Sequence, residues 1–128
     1  MTPPRVLRCC LKINLERSRW FVLDKVEVAM GLIAGAGDSR SYCMEAIDAA
    51  RDGNFDEARE LVDKAVKAMV ETHEAQTDLI RDEMEGRGEA VSLLMVHAQD
   101  HLNLALIMRD IAEEFIAIYE RISRLEVK

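Results

Sequence analysis

A chain of 128 residues, 49% apolar and 32% charged, is sized for one domain with a substantial core. Aromatic residues at only 5%, in a chain rich in Ala, Leu, Glu, Met and Ile, favour helices and speak against a β-sheet protein. A formal net charge of −7 disfavours nucleic-acid binding, because phosphate contacts need a basic face.

Residues 1–22 are basic, open with Pro3 and Pro4, and contrast with the acidic remainder. They are expected to be a poorly ordered N-terminal extension, either an appended tail or the product of a start codon placed too far upstream. Residues 23–128 form the helical domain. Cys9, Cys10 and Cys43 give neither a metal-binding spacing nor a disulfide framework, and their odd number suits a reducing compartment. No apolar stretch approaches bilayer length, and the N-terminus lacks the apolar core and cleavage site of a signal peptide. A cytoplasmic protein without membrane insertion is expected.

The first helix is predicted from about Leu23 to Ala50, with a stripe of Val26, Met30, Ile33, Gly37, Tyr42, Met44 and Ile47. Gly31, Gly35 and Gly37 each weaken it by up to ~1 kcal/mol relative to Ala, so close helix packing is their expected purpose. Gly35-Ala36-Gly37 is not a phosphate loop, since it lacks the preceding strand and the following Lys-Ser/Thr. Asp52-Gly53-Asn54 stops the helix, with Gly53 suited to a left-handed C′ position. Asn54 and Glu57 then resemble a capping box for a second helix, from Phe55 to about Met84. Its apolar stripe runs through Ala58, Leu61, Val62, Ala65 and Met69, opposite a charged, solvated face.

After the loop Glu85–Glu89, a third helix is predicted from about Ala90 to Leu125. Leu94, Ala98, Leu102, Ala105, Met108 and Ala112 belong to its main stripe. Leu93, Val96, Leu104, Ile107, Ile111 and Ile118 widen that stripe beyond what two partner helices would cover. Short connections imply an antiparallel, up-down-up bundle of three helices, and the surplus apolar surface predicts self-association through the last helix. Most methionines, Met30, Met44 and Met84 included, are expected to fill the core.

Candidate chemistry concentrates in Val96-His97-Ala98-Gln99-Asp100-His101. Positions three and four apart share a helical face, which groups His97, Asp100 and His101. A neutral imidazole can accept a phosphoryl group at one ring nitrogen while a partner at the other fixes its tautomer. The same His-x-x-Asp-His string offers three ligands to one metal ion, although it matches neither the helical zinc motif nor the paired di-iron motif. His73 on the second helix is expected at a semi-polar seam, satisfied by a hydrogen bond or supporting His97 from behind.

Four blocks now align in order with one family. They are Ala34-Gly-Ala-Gly-Asp-Ser-Arg-Ser-Tyr-Cys-Met-Glu-Ala, Gly53-Asn-Phe-Asp-Glu-Ala, His73-Glu-Ala-Gln-Thr, and Val91-Ser-Leu-Leu-Met-Val-His-Ala-Gln-Asp-His-Leu. Together they resemble the lactose/cellobiose-type IIA component of the bacterial phosphoenolpyruvate-dependent sugar phosphotransferase system, over about Asp24 to Tyr119. The resemblance implies a homotrimer of three-helix bundles. His97 would be phosphorylated by the phosphocarrier HPr and would pass the phosphoryl group to a cysteine of the IIB component, which serves the IIC permease. Gln99 and His101 match positions close to the phosphorylation site. Asp100 matches an aspartate near the trimer axis, where three copies share one magnesium ion. Residues 1–22 are additional to the family pattern, and Asn103 departs from it without touching the site. The competing expectations are a helical oligomerisation or regulatory domain without chemistry, and a metal hydrolase built on His97, Asp100 and His101.

Overall fold

The computed structural model describes residues 5–88 and 90–126, with side chains from Lys25 onward. The described residues form three helices and no strand: α1 (Arg5–Arg51), α2 (Phe55–Met84) and α3 (Leu93–Glu126). The helix predicted from Leu23 therefore has a backbone that is helical from Arg5, where an irregular segment was expected. Side chains of residues 1–24 lie outside the described residues, and with them the expectation of an extension with little order of its own.

The turns follow from backbone chemistry. Gly53 takes φ +85°, with Gly53 N–H donating to the Ala50 carbonyl and Asn54 N–H to the Ala49 carbonyl. This pair of bonds is a Schellman closure, and it needs a residue that tolerates the left-handed region. Gly86, at φ +76°, ends α2 in the same way, with bonds to the carbonyls of Glu83 and Asp82. The capping box expected at Asn54 does not form, since its side chain makes no cap hydrogen bond. At α3 the Ser92 hydroxyl accepts a hydrogen bond from Met95 N–H at 3.1 Å. That N-cap places the start of α3 at Leu93 rather than near Ala90.

The core is a stack of four small clusters along α1. Ala46, Ala49 and Ala50 meet Ala58, Leu61, Val62 and Ile116 at one end. Cys43 then joins Ala65 and Ala112, and Ala36 joins Met69, Leu102 and Ala105. Ala29 and Leu32 meet Ala98, with Ala75 and Leu79 beside them, at the other end. Positions rising along α1 thus meet falling positions of α2 and rising positions of α3. Both α2 and α3 pack along α1 and touch each other only sparsely.

The α1 core face differs from the expected stripe. It consists of Ala29, Leu32, Ala36, Ser39, Cys43 and Ala46, whereas Val26, Met30 and Met44 are exposed. A helix clasped from two sides needs small residues to let both neighbours approach, so size rather than hydropathy selects its buried face. The methionine expectation holds in part: Met69 is buried and Met95 and Met108 pack half-buried against the core, but Met30, Met44 and Met84 are exposed. Close packing explains one of the three α1 glycines. A Cβ on Gly35 would lie 2.0 Å from Thr72 Oγ1, whereas on Gly31 or Gly37 it would meet nothing within 4 Å.

Candidate functional site

The candidate residues lie in the first three turns of α3. Residues there turn by roughly 100° each, so neighbours in sequence point in different directions. Ala98, Leu102 and Ala105 are fully buried and define the inward face. Gln99 marks the side toward α2: its Oε1 accepts a hydrogen bond from Gln76 Nε2, and its own Nε2 lies 3.9 Å from Met95 Sδ.

Opposite the core, Leu93, Val96, Leu104, Ile107, Ile111 and Ile118 are each 40% exposed or more. These are the residues expected to widen the stripe, and the excess apolar surface is present as a continuous outer band. Asp100 falls into that band, one turn from both Val96 and Leu104, and is exposed. Among the described residues it has no hydrogen bond or ion pair.

His97 is exposed and His101 half-buried, at the border of the band that faces away from α2. Their ring centroids are 4.6 Å apart with planes at 83°, an edge-on contact between successive turns. This geometry limits how the His97 ring can rotate while leaving it open to solvent, which suits a nucleophile that must meet a large partner. The structure therefore brings His97 and His101 together and sets Asp100 beside them. It does not bring Gln99 to His97: two residues apart, they point roughly 160° away from each other, and Gln99 is tied to α2. Gln76, which fixes the orientation of the Gln99 amide, enters the sequence reading only as a neighbour of His73 at the semi-polar seam, with no role of its own. Its signal was the three-residue spacing from His73, which puts both on one face of α2.

His73 is exposed on α2, and its carbonyl accepts the Thr77 hydroxyl at 2.9 Å. With Val66, Val70 and Ile80 it edges the open valley beside α3. Because that valley lies across α3 from His97, His73 does not support His97 within one chain.

Among the described residues no three His, Cys, Asp or Glu side chains group so as to hold a metal ion. The intrachain His97–Asp100–His101 ligand set thus does not converge. Among the same residues, no helix is long and apolar enough to cross a membrane.

Comparison with known proteins places the chain in a family. Residues 27–120 match the profile of the family described as PTS system, Lactose/Cellobiose specific IIA subunit. A lactose-specific EIIA component of Staphylococcus epidermidis is 40% identical over 99 residues, covering 77% of this chain and 95% of the relative. A lichenan-specific phosphotransferase enzyme IIA component of Bacillus subtilis is 41% identical over 97 residues, covering 76% and 88%. Among solved structures, the cellobiose-specific enzyme IIA from Bacillus anthracis matches with a TM-score of 0.75 and 39% identity, over 77% of this chain and 90% of that one. The IIA(chitobiose)–HPr complex of Escherichia coli matches with a TM-score of 0.65 and 36% identity, over 76% and 94%. A helical chain with this match over most of its length belongs to the lactose/cellobiose-specific IIA family of the sugar phosphotransferase system.

Proposed function

We propose that this protein is a cytoplasmic phosphocarrier whose acceptor is His97. The observation that carries the reading is the exposed His97 ring held edge-on by His101 at the border of an apolar band. A neutral ring nitrogen of His97 attacks the phosphorus carried by a histidine of HPr. The P–N bond to HPr breaks as the new P–N bond forms, and HPr leaves with its imidazole restored. In the second step a cysteine thiolate of the IIB component takes the phosphoryl group, for use by the IIC permease during uptake of a lactose-, cellobiose- or chitobiose-type sugar. Such transfer depends on positioning an in-line donor and acceptor rather than on a deep pocket. His101 orients the acceptor ring and neutralises charge on the phosphoryl group. Gln99 supports the same turn from its α2 side.

The helices run up-down-up in this reading, and three copies assemble through the outer band of α3. Asp100 would then occur three times around one axis. Its surroundings fit a shared cation: among the described residues Asp100 has no hydrogen bond or ion pair, and three such carboxylates brought to one axis repel unless a hard ion joins them. Magnesium bound by the three Asp100 carboxylates would supply that neutralisation and hold the assembly together.

The test is incubation with enzyme I, HPr and phosphoenolpyruvate. Wild type should gain acid-labile, base-stable phosphate and His97→Ala none. Equal labelling of the two, or no labelling of wild type, would leave the oligomerisation or regulatory domain as the better reading.

A further inference from the structure

We infer that residues 5–22 are a membrane-surface anchor: a basic amphipathic helix that adsorbs to the headgroup region of an anionic bilayer. The inference goes beyond the phosphocarrier reading and does not depend on it.

The argument starts from where the packing partners of α1 stop. Gly35 and Thr72 stand level, since a Cβ on Gly35 would lie 2.0 Å from Thr72 Oγ1. Positions falling along α1 meet rising positions of α2, so Met84, the last residue of α2, comes level with Leu23. On the other side Ala29 and Leu32 meet Ala98, and α3 begins only at Leu93. The helical backbone of α1 nevertheless starts at Arg5. Residues 5–22 thus run past both partners, for about 27 Å at about 1.5 Å per residue. A helix of that length is marginal alone in water and needs a surface on which to bury an apolar face.

The sequence of that stretch selects the surface. At roughly 100° per residue, Arg5, Arg8, Lys12 and Arg19 fall within about 60° of one another. Val6, Leu7, Leu11, Ile13, Trp20 and Phe21 spread over the opposite half, interrupted by Asn14, Arg17 and Ser18. A cationic strip opposite Leu, Phe and Trp is the pattern of a helix lying in an anionic lipid interface. It lies on the bilayer rather than across it, because its charged residues exclude a span. A second copy is the poorer occupant: its own cationic strip repels, and the polar interruptions break the seam that paired helices need. The acidic remainder of the chain does not cancel the attraction. Lys12 lies about 20 Å along the helix from Lys25, beyond two Debye lengths of about 8 Å. The end of the bundle that this helix leaves is itself apolar, with Met84, Val91 and Leu93 each 70% exposed or more. Beside them, Arg81 pairs with Asp78 and Arg87 with Asp82 and Glu85, which lowers the charge that end presents.

Trp20 is the chain's single tryptophan, so its fluorescence reports on this helix directly. The full chain is mixed with vesicles of phosphatidylcholine containing phosphatidylglycerol, and with vesicles of phosphatidylcholine alone. The anionic vesicles should shift Trp20 emission to the blue, shield it from acrylamide and carry the protein upward on flotation; added salt should weaken all three effects. Arg8→Gln, Lys12→Gln and Arg19→Gln combined should lower the partition by about 100-fold, at roughly fivefold per cation. Lys64→Gln with Lys67→Gln, on the exposed face of α2, should leave it unchanged. Three results would overturn the inference: equal binding to both kinds of vesicle, wild-type binding by the triple variant, or a Trp20 already shielded without lipid. The last would mean that protein, from the same chain or a second copy, covers the helix. Phosphate acceptance at His97 should be the same in the triple variant and wild type, so failure of the anchor leaves the phosphocarrier reading standing.

Discussion

Gly35 is the tightest point of the bundle, and replacing it with alanine has a calculable outcome. The new Cβ would lie 2.0 Å from Thr72 Oγ1, 3.3 Å from Thr72 Cβ and 3.4 Å from the Ala68 carbonyl oxygen. Ordinary contact needs about 3.5 Å, so α1 and α2 must part by more than 1 Å locally, or Thr72 must rotate. Thr72 is 6% exposed and its hydroxyl donates to the Ala68 carbonyl at 3.1 Å, so rotation sacrifices that bond. Overpacking of this kind costs about 1–3 kcal/mol, against a gain of up to about 1 kcal/mol from replacing a helical glycine. The expected net loss is about 1–2 kcal/mol. Gly31→Ala and Gly37→Ala meet nothing within 4 Å and should gain up to about 1 kcal/mol. Urea unfolding followed by circular dichroism, at one protein concentration because the proposed association would contribute to stability, separates the three variants. In a Thr72→Ala background the Gly35→Ala penalty should shrink by more than half. A Gly35→Ala protein as stable as Gly31→Ala would refute the close-approach argument.

Ser92→Ala removes the N-cap of α3 and should cost about 1 kcal/mol, measurable in the same unfolding experiment. Because Ser92 lies outside the helical turns that hold His97, phosphate acceptance should change little. Asp100→Leu removes a band carboxylate that has no ion pair among the described residues; its assembly, followed by sedimentation, should tolerate a chelator that loosens wild type, and equal behaviour of the two would remove the metal role. Cys43 is fully buried, and burial pushes its thiol above the ordinary 9.0, opposed by Arg109 and Ser39. A raised folded-state value means that the thiol's contribution to stability is complete below 9.0 and is lost as pH rises through the folded value. Cys43→Ala should therefore flatten the alkaline fall in stability, and Cys43 should resist alkylation until the chain unfolds.

How much of this was legible depended on which residues carried the signal. Strong punctuation worked: Gly53 and Phe55 fixed the α1–α2 turn, and the predicted limits of α2 are those observed. The start of α3 was misjudged because Ala90 and Val91 continue the apolar pattern, while the single hydroxyl of Ser92 decides the cap. The α1 core was misread by one position in the wheel. Large side chains draw the eye, yet Ala29, Ala36 and Ala46 do the packing. At the site, spacing of four was enough to pair His97 with His101, while Asp100 stands apart from them in the outer band. The same rule warns against Gln99, whose spacing of two from His97 sends it to α2. Side-chain pairs between helices, such as Gln76 with Gln99, have no signature in one sequence without knowledge of register.

The misread stripe and the open bands have a common origin. Because α1 is held between α2 and α3, its inner face is mostly small, and many large apolar residues remain on the outside of the bundle: Met30 and Met44 on α1, Val70 and Ile80 on α2, Ile107 and Ile118 on α3. On the proposed assembly, a further copy would remove such surface from water at roughly 25 cal/mol per Å². The division of labour within Val96–His101 then follows from rotation alone. Asp100 lies near the middle of the α3 band, where assembly would bury it and a cation would be needed. His97, three residues earlier, sits roughly 60° away at the border, where assembly can steady it without enclosing it. A phosphocarrier must hold its histidine firmly and still present it to two successive proteins. On the proposed assembly, a border position satisfies both requirements, and a position at the centre of the band would satisfy only the first.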